Sequence, residues 1–306
     1  MAGLLGAPFA LGEYKDVKTV PQDDGPHPVV PISYSQGYVE LMDIFRGLLA
    51  VDEVSARGLR LTTELMGYNA ANYTLWHYRR KCLKSIGADL HEELSWVTNI
   101  GGSNPKNYQI WFHRRALVEQ IGTAEAGQQE LQYTEIVFAE DAKNYHAWGH
   151  RQWVLEQFKL YENELEFIES LLKRDVRNNS VWNQRWFYFM KTLPENVPDS
   201  IVKQEINFCF SKLDVALKNQ AAWAYLEGWM SKRDYKDYPE IEAYIRGRVL
   251  EQSKEVAPAF SALIDILEQK KTQEGRNEAL KLIDNLCTFD VIRKKYWLFR
   301  KREIAQ

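Results

Sequence analysis

The feature that most constrains the fold is a short motif that recurs at a nearly constant spacing. An asparagine precedes a tryptophan by four residues at five places, which are Asn72–Trp76, Asn107–Trp111, Asn144–Trp148, Asn178–Trp182 and Asn219–Trp223. Successive tryptophans are 35, 37, 34 and 41 residues apart, and further steps of 37 reach Phe260 and Trp297. Repeats of this length are typical of stacked supersecondary units, so the sequence predicts a solenoid.

Each repeat is predicted to be a pair of helices. In the second repeat, Leu90, Leu94 and Val97 place apolar side chains on one helix face. Gly101–Pro105 predicts the turn, because glycine accepts positive φ and proline cannot continue a helix. Asn107 then predicts the N-cap of the second helix. One pair per repeat predicts an all-α fold, a right-handed α-α superhelix of about seven helical hairpins.

Two further positions recur around the tryptophans. An arginine follows by three residues, at Arg79, Arg114, Arg151, Arg185 and Arg300. A short polar residue precedes by seven residues, at Asn69, Asn104, Asp141, Asp175 and Asp290. We expect the polar residue to tie the turn and the arginine to bond carbonyls or a carboxylate of a neighbouring turn. The aspartates and glutamates otherwise show no special pairing in the sequence.

Composition excludes several classes of protein. The 306 residues carry a net charge of −3, so no global basic field attracts nucleic acid. The three cysteines form no CxxC pair, which argues against a disulfide framework and against a structural zinc site. His146 and His150 share a helix face, but a metal needs a third ligand, so no metal site is predicted in this chain. We expect a cytoplasmic protein without membrane insertion, because no apolar stretch approaches about 18 residues.

The N-terminal segment differs from the rest of the chain. Residues 1–31 hold five of the ten prolines, which predicts a flexible Pro-rich arm. Residues 32–306 are predicted to form the helical domain, and apolar side chains at helical spacing begin just after Ser35.

Longer strings around three of the tryptophans resemble the α-type repeat of protein prenyltransferases. These strings run from Asn104 to Arg115, from Asp141 to Trp153 and from Asp175 to Arg185. They are similar to the α subunit shared by protein farnesyltransferase and protein geranylgeranyltransferase type I, and the similarity extends from about residue 34 to Trp297. The resemblance implies a crescent-shaped subunit in an obligate heterodimer with a prenyltransferase β subunit.

The resemblance also implies an activity. The heterodimer would transfer a farnesyl or geranylgeranyl group from the isoprenoid diphosphate to the cysteine thiol of proteins that end in a CaaX box, such as small GTPases. Zn²⁺ would be held by the β subunit and Mg²⁺ would accompany the diphosphate in farnesyl transfer. The Rab geranylgeranyltransferase α subunit, which shares the repeat, is one alternative. A noncatalytic helical-repeat scaffold that binds peptides is another.

Particular side chains follow from the resemblance. It implies catalytic roles for Lys106, Tyr108, Tyr145 and His146. It implies contacts with the isoprenoid diphosphate for Lys106, Asn144, Tyr145 and His146, and with the peptide substrate for Gln109, Tyr73 and Tyr108. The structural anchors are expected at Trp76, Trp111, Trp148, Trp182, Trp223 and Trp297. The residues alone favour a solvated lysine at position 106, because Lys143, Arg177 and Lys218 share its place in the repeat.

Overall fold

The computed structural model describes residues 9–253 and 255–305, and all regular secondary structure in these residues is helical. Two compact units divide the chain after Leu160, and each unit is a row of helical hairpins. Across the described residues the hairpins number seven, which confirms the all-α prediction and the expected count.

The first unit contains one leading helix and three hairpins. Its helices are α1 (Gln36–Ala50), α2 (Ala56–Asn69), α3 (Tyr73–Ile86), α4 (Leu90–Ser103), α5 (Tyr108–Ile121), α6 (Ala124–Glu140) and α7 (Tyr145–Phe158). Helices α2 and α3, α4 and α5, and α6 and α7 pair as hairpins. The second helices of successive hairpins also touch, α3 with α5 and α5 with α7. The N-termini of these second helices therefore line up along one side of the unit.

The second unit contains four hairpins. Its helices are α8 (Glu164–Arg174), α9 (Asn179–Thr192), α10 (Asp199–Leu213), α11 (Gln220–Met230), α12 (Pro239–Tyr244), α13 (Leu250–Gln252), α14 (Ala257–Lys270), α15 (Gln273–Phe289) and α16 (Lys294–Ala305). Helices α12 and α13 flank a π-helical stretch at Ile245–Val249, so the first helix of this hairpin is interrupted before it packs against α14. The remaining hairpins pair α8 with α9, α10 with α11 and α15 with α16.

The asparagine of the motif caps its helix, as the sequence predicts. The Oδ1 atom of Asn72 accepts a hydrogen bond from the backbone N–H of Thr74 at 3.1 Å. Asn107 accepts in the same way from Gln109 at 2.9 Å. This side-chain oxygen satisfies one of the backbone donors that a helix start leaves without a partner. Helices α3 and α5 end at Gly87 and Gly122, whose positive φ of 61° and 70° suits glycine.

The tryptophan of the motif is buried and tied to its own turn. The six register tryptophans are at most 7% exposed, which agrees with the burial predicted for them. The Trp76 indole N–H donates to the carbonyl of Ala70 at 2.8 Å, and Trp111 donates to Pro105 at 2.9 Å. The same Ala70 carbonyl accepts the amide Nδ2 of Asn107, from the next hairpin, at 2.8 Å. One carbonyl thus joins successive repeats, which explains why asparagine and tryptophan recur together.

One detail differs from the sequence-based expectations. Helix α4 continues through Gly101 and Gly102 to Ser103, so the turn begins later than predicted. Gly101 is buried there because the Tyr133 hydroxyl occupies the space that a β-carbon would need, 2.6 Å from its ideal position. The glycine serves helix packing at this position and does not form the turn.

The N-terminal arm has contacts with the helical domain. Residues 1–8 of the predicted arm lie outside the described residues. Within the described part, Leu11–Tyr14 forms a 3₁₀-helix and Tyr14 is only 3% exposed. The Tyr14 hydroxyl donates to the carbonyl of Arg57 at 2.8 Å, and the Arg57 guanidinium pairs with Asp16 at 2.7 Å. These contacts join residues 11–16 to α2, and the flexibility of the arm stays a prediction. The domain boundary at residue 31 stays a prediction.

Candidate functional site

The candidate site lies at the N-termini of the second helices in the first unit. Each of these helices begins with a tyrosine, three residues before the buried tryptophan. Tyr73, Tyr108 and Tyr145 are exposed by 71%, 68% and 76%. A solvent-facing phenol offers apolar area and a hydroxyl that can donate or accept. The three tyrosines form a row of contact groups, one from each hairpin of the unit.

An open groove lies beside Tyr108. It encloses about 570 Å³ and includes Lys106, Tyr108 and Gln109 in its lining. The remaining lining residues come from the turn before α5 and from the end of the preceding turn: Ala71, Ser103, Asn104, Pro105 and Asn107. Three side chains predicted for the site therefore share one concave surface. Tyr73 follows Ala71 by two residues, on the neighbouring helix.

Four of the predicted residues are brought into one cluster. The rings of Tyr108 and His146 meet edge to face, with centroids 4.3 Å apart, and Tyr145 adds a second edge contact to His146 at 5.7 Å. The His146 ring lies beside the backbone carbonyl of Lys106. The Lys106 side chain is 76% exposed, and its Nζ lies 3.5 Å from a carboxylate oxygen of Asp141. The cluster presents one ammonium, one imidazole and two phenols to solvent.

The charges at the cluster are those of the Lys106 ammonium and the Asp141 carboxylate beside it. Burial lowers the pKa of His146, although its hydrogen bond to the Lys106 carbonyl opposes this shift. Because the ordinary pKa is already below 7, the ring is largely neutral at neutral pH and serves as a hydrogen-bond donor. Lys106 therefore supplies the positive charge at the groove. A flexible ammonium with free N–H groups suits a phosphate oxygen.

Asn144 is the remaining residue predicted to contact the isoprenoid diphosphate. Its side chain is 2% exposed, and both ends of its amide have protein partners. The Oδ1 atom accepts from the backbone N–H of Ala147 at 3.0 Å, and Nδ2 donates to the carbonyl of Pro105 at 3.1 Å. Asn144 therefore caps α7 and joins it to the preceding turn, and its contact with the diphosphate stays a prediction.

A second set of residues was not anticipated from the sequence. Three of the motif arginines, Arg79, Arg114 and Arg185, bond buried glutamates from the following hairpin. Arg79 forms a two-pronged pair with Glu93, at 2.6 and 2.7 Å, and stacks over the Trp96 ring at 3.6 Å. Glu93 also contacts His113 Nε2 at 2.8 Å. Burial raises the pKa of Glu93, but the hydrogen bond from His113 and the charge of Arg79 outweigh it and hold that pKa below its usual range.

The same buried network recurs along both units. In the first unit, Arg114 and His150 meet at Glu130, and the arginine lies 3.6 Å from the Tyr133 ring centroid. In the second unit, Arg185 and Tyr225 meet at Glu205, each at 2.7 Å. The expectation that these arginines bond a carboxylate is confirmed, whereas the statement that glutamates show no special pairing is wrong. His150, considered above as a metal ligand, is a partner of a buried carboxylate.

The sequence does contain a signal for this network. Glu93, Glu130, Glu164 and Glu205 each precede a motif tryptophan by 18 residues. Each is followed three residues later by an aromatic side chain, at Trp96, Tyr133, Phe167 and Phe208. This second periodic pattern lies in the first helices of four hairpins, α4, α6, α8 and α10. It is not detected when only the residues close to each tryptophan are compared. It marks the residues that set the spacing between hairpins.

Other kinds of site were sought in the described residues. Within residues 9–253 and 255–305, no three His, Cys, Asp or Glu side chains come together as a group that could hold a metal ion. In the same part of the chain, none of the helices is both long and apolar enough to cross a bilayer.

Comparisons with known proteins agree with this architecture. Residues 55–86, 90–121, 128–158 and 161–192 match the protein prenyltransferase alpha subunit repeat. The chain is 38% identical to the protein farnesyltransferase/geranylgeranyltransferase type-1 subunit alpha of Pisum sativum, over 96% of this chain and 94% of the relative. It is 40% identical to the protein of the same description from Dictyostelium discoideum, over 96% and 92%.

A solved structure shows the same likeness in three dimensions. The chain superimposes on Candida albicans protein geranylgeranyltransferase-I complexed with GGPP with a TM-score of 0.82 and 26% identity. The match covers 95% of this chain and 98% of that chain. The repeats matched in sequence coincide with the first four hairpins, α2 to α9.

Proposed function

Because the chain belongs to the family of protein farnesyltransferase/geranylgeranyltransferase type I α subunits, we propose that it assembles with a β subunit into an enzyme that prenylates proteins at a C-terminal CaaX cysteine. In this reaction a bond forms between the cysteine sulfur and carbon 1 of the farnesyl or geranylgeranyl group. The bond from that carbon to the diphosphate oxygen breaks, and the diphosphate leaves with the electron pair. The thiol proton is lost.

The observation that carries the proposal is the cluster around Lys106. Its ammonium is exposed at the rim of a groove and stands among three hydrogen-bonding rings, Tyr108, Tyr145 and His146. Negative charge grows on the diphosphate as the carbon–oxygen bond breaks, and a positioned cation stabilises that charge. We assign this role to Lys106. Tyr145 and His146 are both assigned to the diphosphate oxygens. The Tyr145 hydroxyl can donate without adding charge, and the single N–H of neutral His146 would turn from the Lys106 carbonyl to a diphosphate oxygen.

The peptide substrate is assigned to the same side of the unit. Gln109 lines the groove two residues after the N-cap of α5, and its neutral amide can donate to the C-terminal carboxylate of a CaaX peptide. Tyr108 and Tyr73 supply exposed aromatic surface on either side. These assignments place the ends of both substrates beside residues 106–109.

In this proposal Zn²⁺ is held by the β subunit, and Mg²⁺ accompanies the diphosphate in farnesyl transfer. This chain provides no group of ligands for Zn²⁺ or Mg²⁺ in its described residues. No step assigned to this chain passes through a metal ion. Its residues bind and orient the diphosphate and the peptide, and they hold the repeats in register behind the groove.

Reconstitution tests the proposal. The chain is co-expressed with a farnesyltransferase-type and, separately, a geranylgeranyltransferase-I-type β subunit, and each complex is purified. We expect stable heterodimers that prenylate CaaX peptides, with peptides ending in Ser or Met favoured by the first β subunit and those ending in Leu by the second. A chain that purifies alone, indifferent to either β subunit, would refute the proposal and favour a noncatalytic scaffold.

A further inference from the structure

The two oxygens of the Asp141 carboxylate have different partners. Its Oδ1 accepts the backbone N–H of Lys143 at 3.0 Å, which ties the turn between α6 and α7. Asp175 makes the same turn contact, to the N–H of Arg177, at 2.9 Å. The other oxygen of Asp141 lies 3.5 Å from Nζ of Lys106, one hairpin earlier. Because the backbone holds the first oxygen, the second faces the ammonium of the groove lysine in a defined direction.

The side chain of Lys106 is thereby restrained at its ammonium, which faces Asp141. A lysine with 76% of its side chain exposed would otherwise sample many rotamers, and ordering it costs free energy. We propose that Asp141 is a positioning residue that holds the Lys106 ammonium at the rim of the groove and releases it to the incoming isoprenoid diphosphate. This inference rests on the proposed function, because it takes the diphosphate as the ligand of Lys106.

The chemistry of the pair makes the exchange feasible. An ion pair as exposed as this one is weak, so a ligand with two or more negative charges can displace the carboxylate. Asp141 competes with the diphosphate for Lys106, since it attracts the same ammonium and also repels the anion. Asp141 should therefore weaken ground-state binding of the diphosphate. It should also help the inorganic diphosphate product to leave.

Asp141→Asn separates positioning from support of the turn. The amide retains an oxygen that can accept the Lys143 N–H, but it loses the charge that attracts Lys106. Dissociation constants are measured for farnesyl diphosphate and for inorganic pyrophosphate on the purified heterodimer. We expect both ligands to bind about two- to fivefold more tightly, the range of an exposed ion pair. Asp175→Asn, which alters the same turn position one repeat later, should leave both constants unchanged.

A double variant shows whether the effect passes through Lys106. In a Lys106→Ala background, adding Asp141→Asn should tighten binding less than it does in the parent, because only the direct repulsion of the anion is then removed. The inference is overturned if Asp141→Asn leaves affinity unchanged, if Asp175→Asn has the same effect, or if the tightening is as large without Lys106. If Asp141→Asn does not assemble with the β subunit, Asp141→Ser, which also offers a turn acceptor, is measured in its place.

Single-turnover prenyl transfer by the unaltered heterodimer is measured in parallel. A heterodimer that binds neither ligand and transfers no isoprenoid would refute the proposed function. Normal transfer with no coupling between positions 141 and 106 would refute this inference alone.

Discussion

Lys106 and Lys143 occupy the same position in successive repeats, five residues before the motif tryptophan. At the scale of single residues, their surroundings differ. Lys106 lines the groove beside Tyr108 and Gln109, whereas Lys143 is not among the residues that line it. Both lysines lie at the same position of equivalent turns, so the difference in their expected functions comes from the neighbouring side chains. This pair of lysines offers an internal comparison within one protein.

Replacing Lys106 with alanine should slow the chemical step. The charge on the departing diphosphate is larger in the transition state than in the ground state, so the rate of transfer should fall more than isoprenoid affinity. We expect a loss of roughly 10²–10³ in the single-turnover rate constant, by comparison with other preorganised charge-stabilising groups. Lys143→Ala should do much less, and heterodimer formation should be unaffected by either change. Small and equal effects would leave Lys106 as an ordinary solvated lysine.

Replacing Trp148 with alanine should destabilise the fold. Its ring stacks on Phe138 at 4.0 Å, and its indole N–H donates to the carbonyl of Ala142 at 3.0 Å. Loss of a buried indole costs about 3–5 kcal/mol of unfolding free energy. Denaturant titration of the purified heterodimer measures this cost. Ile136→Ala is the control, since this side chain is 65% exposed on α6 and the change should stay within about 0.5 kcal/mol.

At the scale of helices, successive hairpins are joined by buried carboxylates. Each glutamate from a first helix takes an arginine from the hairpin before it and a histidine or tyrosine from its own hairpin, as at Glu93, Glu130 and Glu205. A buried charge needs a partner in a fixed position. The network therefore specifies the register between hairpins, which apolar packing alone would leave less defined.

Removing one partner of such a buried pair should lower the free energy of unfolding more than removing both partners. Glu93→Ala leaves the Arg79 guanidinium, which is fully buried, without its carboxylate. Breaking a buried pair in this way typically costs about 3–5 kcal/mol. The double variant Arg79→Met/Glu93→Leu should be closer to the parent in its free energy of unfolding, because no uncompensated charge remains. An exposed ion pair on α5, Arg115 with Glu119, is the comparison for the buried pair. It should contribute less than about 0.5 kcal/mol to the free energy of unfolding.

The Glu130 network should make stability depend on acid pH. Burial raises the pKa of Glu130, but the hydrogen bond from His150 and the charge of Arg114 outweigh it and bring that pKa to about 2. The folded pKa is thus below the unfolded value of 4.5. The stabilisation is complete above that unfolded value and is lost as pH falls toward the folded one.

Glu130→Gln provides the test of this dependence. The variant should be less stable than the parent at neutral pH, and the difference should narrow between pH 4.5 and 2. Denaturant midpoints measured across this interval provide the check. A constant difference at every pH would contradict the assignment of the shift to Glu130.

At the scale of the molecule, the exposed aromatic row is the surface that a partner should cover. Tyr73, Tyr108, Tyr145 and Phe112 are all more than half exposed in the first unit. Aromatic side chains are enriched in protein interfaces, and permanent complexes bury about 2,000 Å² or more. Hydroxyl-radical labelling of these four rings should fall severalfold when the β subunit binds.

An exposed side chain on a first helix supplies the control for this labelling. Ile136 on α6 is 65% exposed, and we expect its labelling to change little on complex formation. Equal labelling of the four rings in the free chain and in the complex would mean that the aromatic row is not the contact surface.

The sequence by itself determined the features that depend on neighbours close in the chain. The recurring Asn-to-Trp spacing predicted the hairpins, the caps at Asn72 and Asn107, and burial of the tryptophans. Caps and turn contacts join residues only two to four positions apart. Apolar residues at helical spacing identify the buried face of a helix directly in the sequence. These signals survive in a single sequence because the partners always lie at the same offset.

Only the tertiary structure decided which side chains are committed to packing and which remain free to bind. Asn144 and Lys106 both stood among the predicted ligand contacts, yet Asn144 is buried with its partner carbonyl 39 residues away. Arg79 finds Glu93 across the boundary between hairpins, and Tyr14 is held on α2 by a residue 43 positions later. Such contacts depend on how helices stack, and stacking is set by the combined packing of many side chains, which no local pattern records.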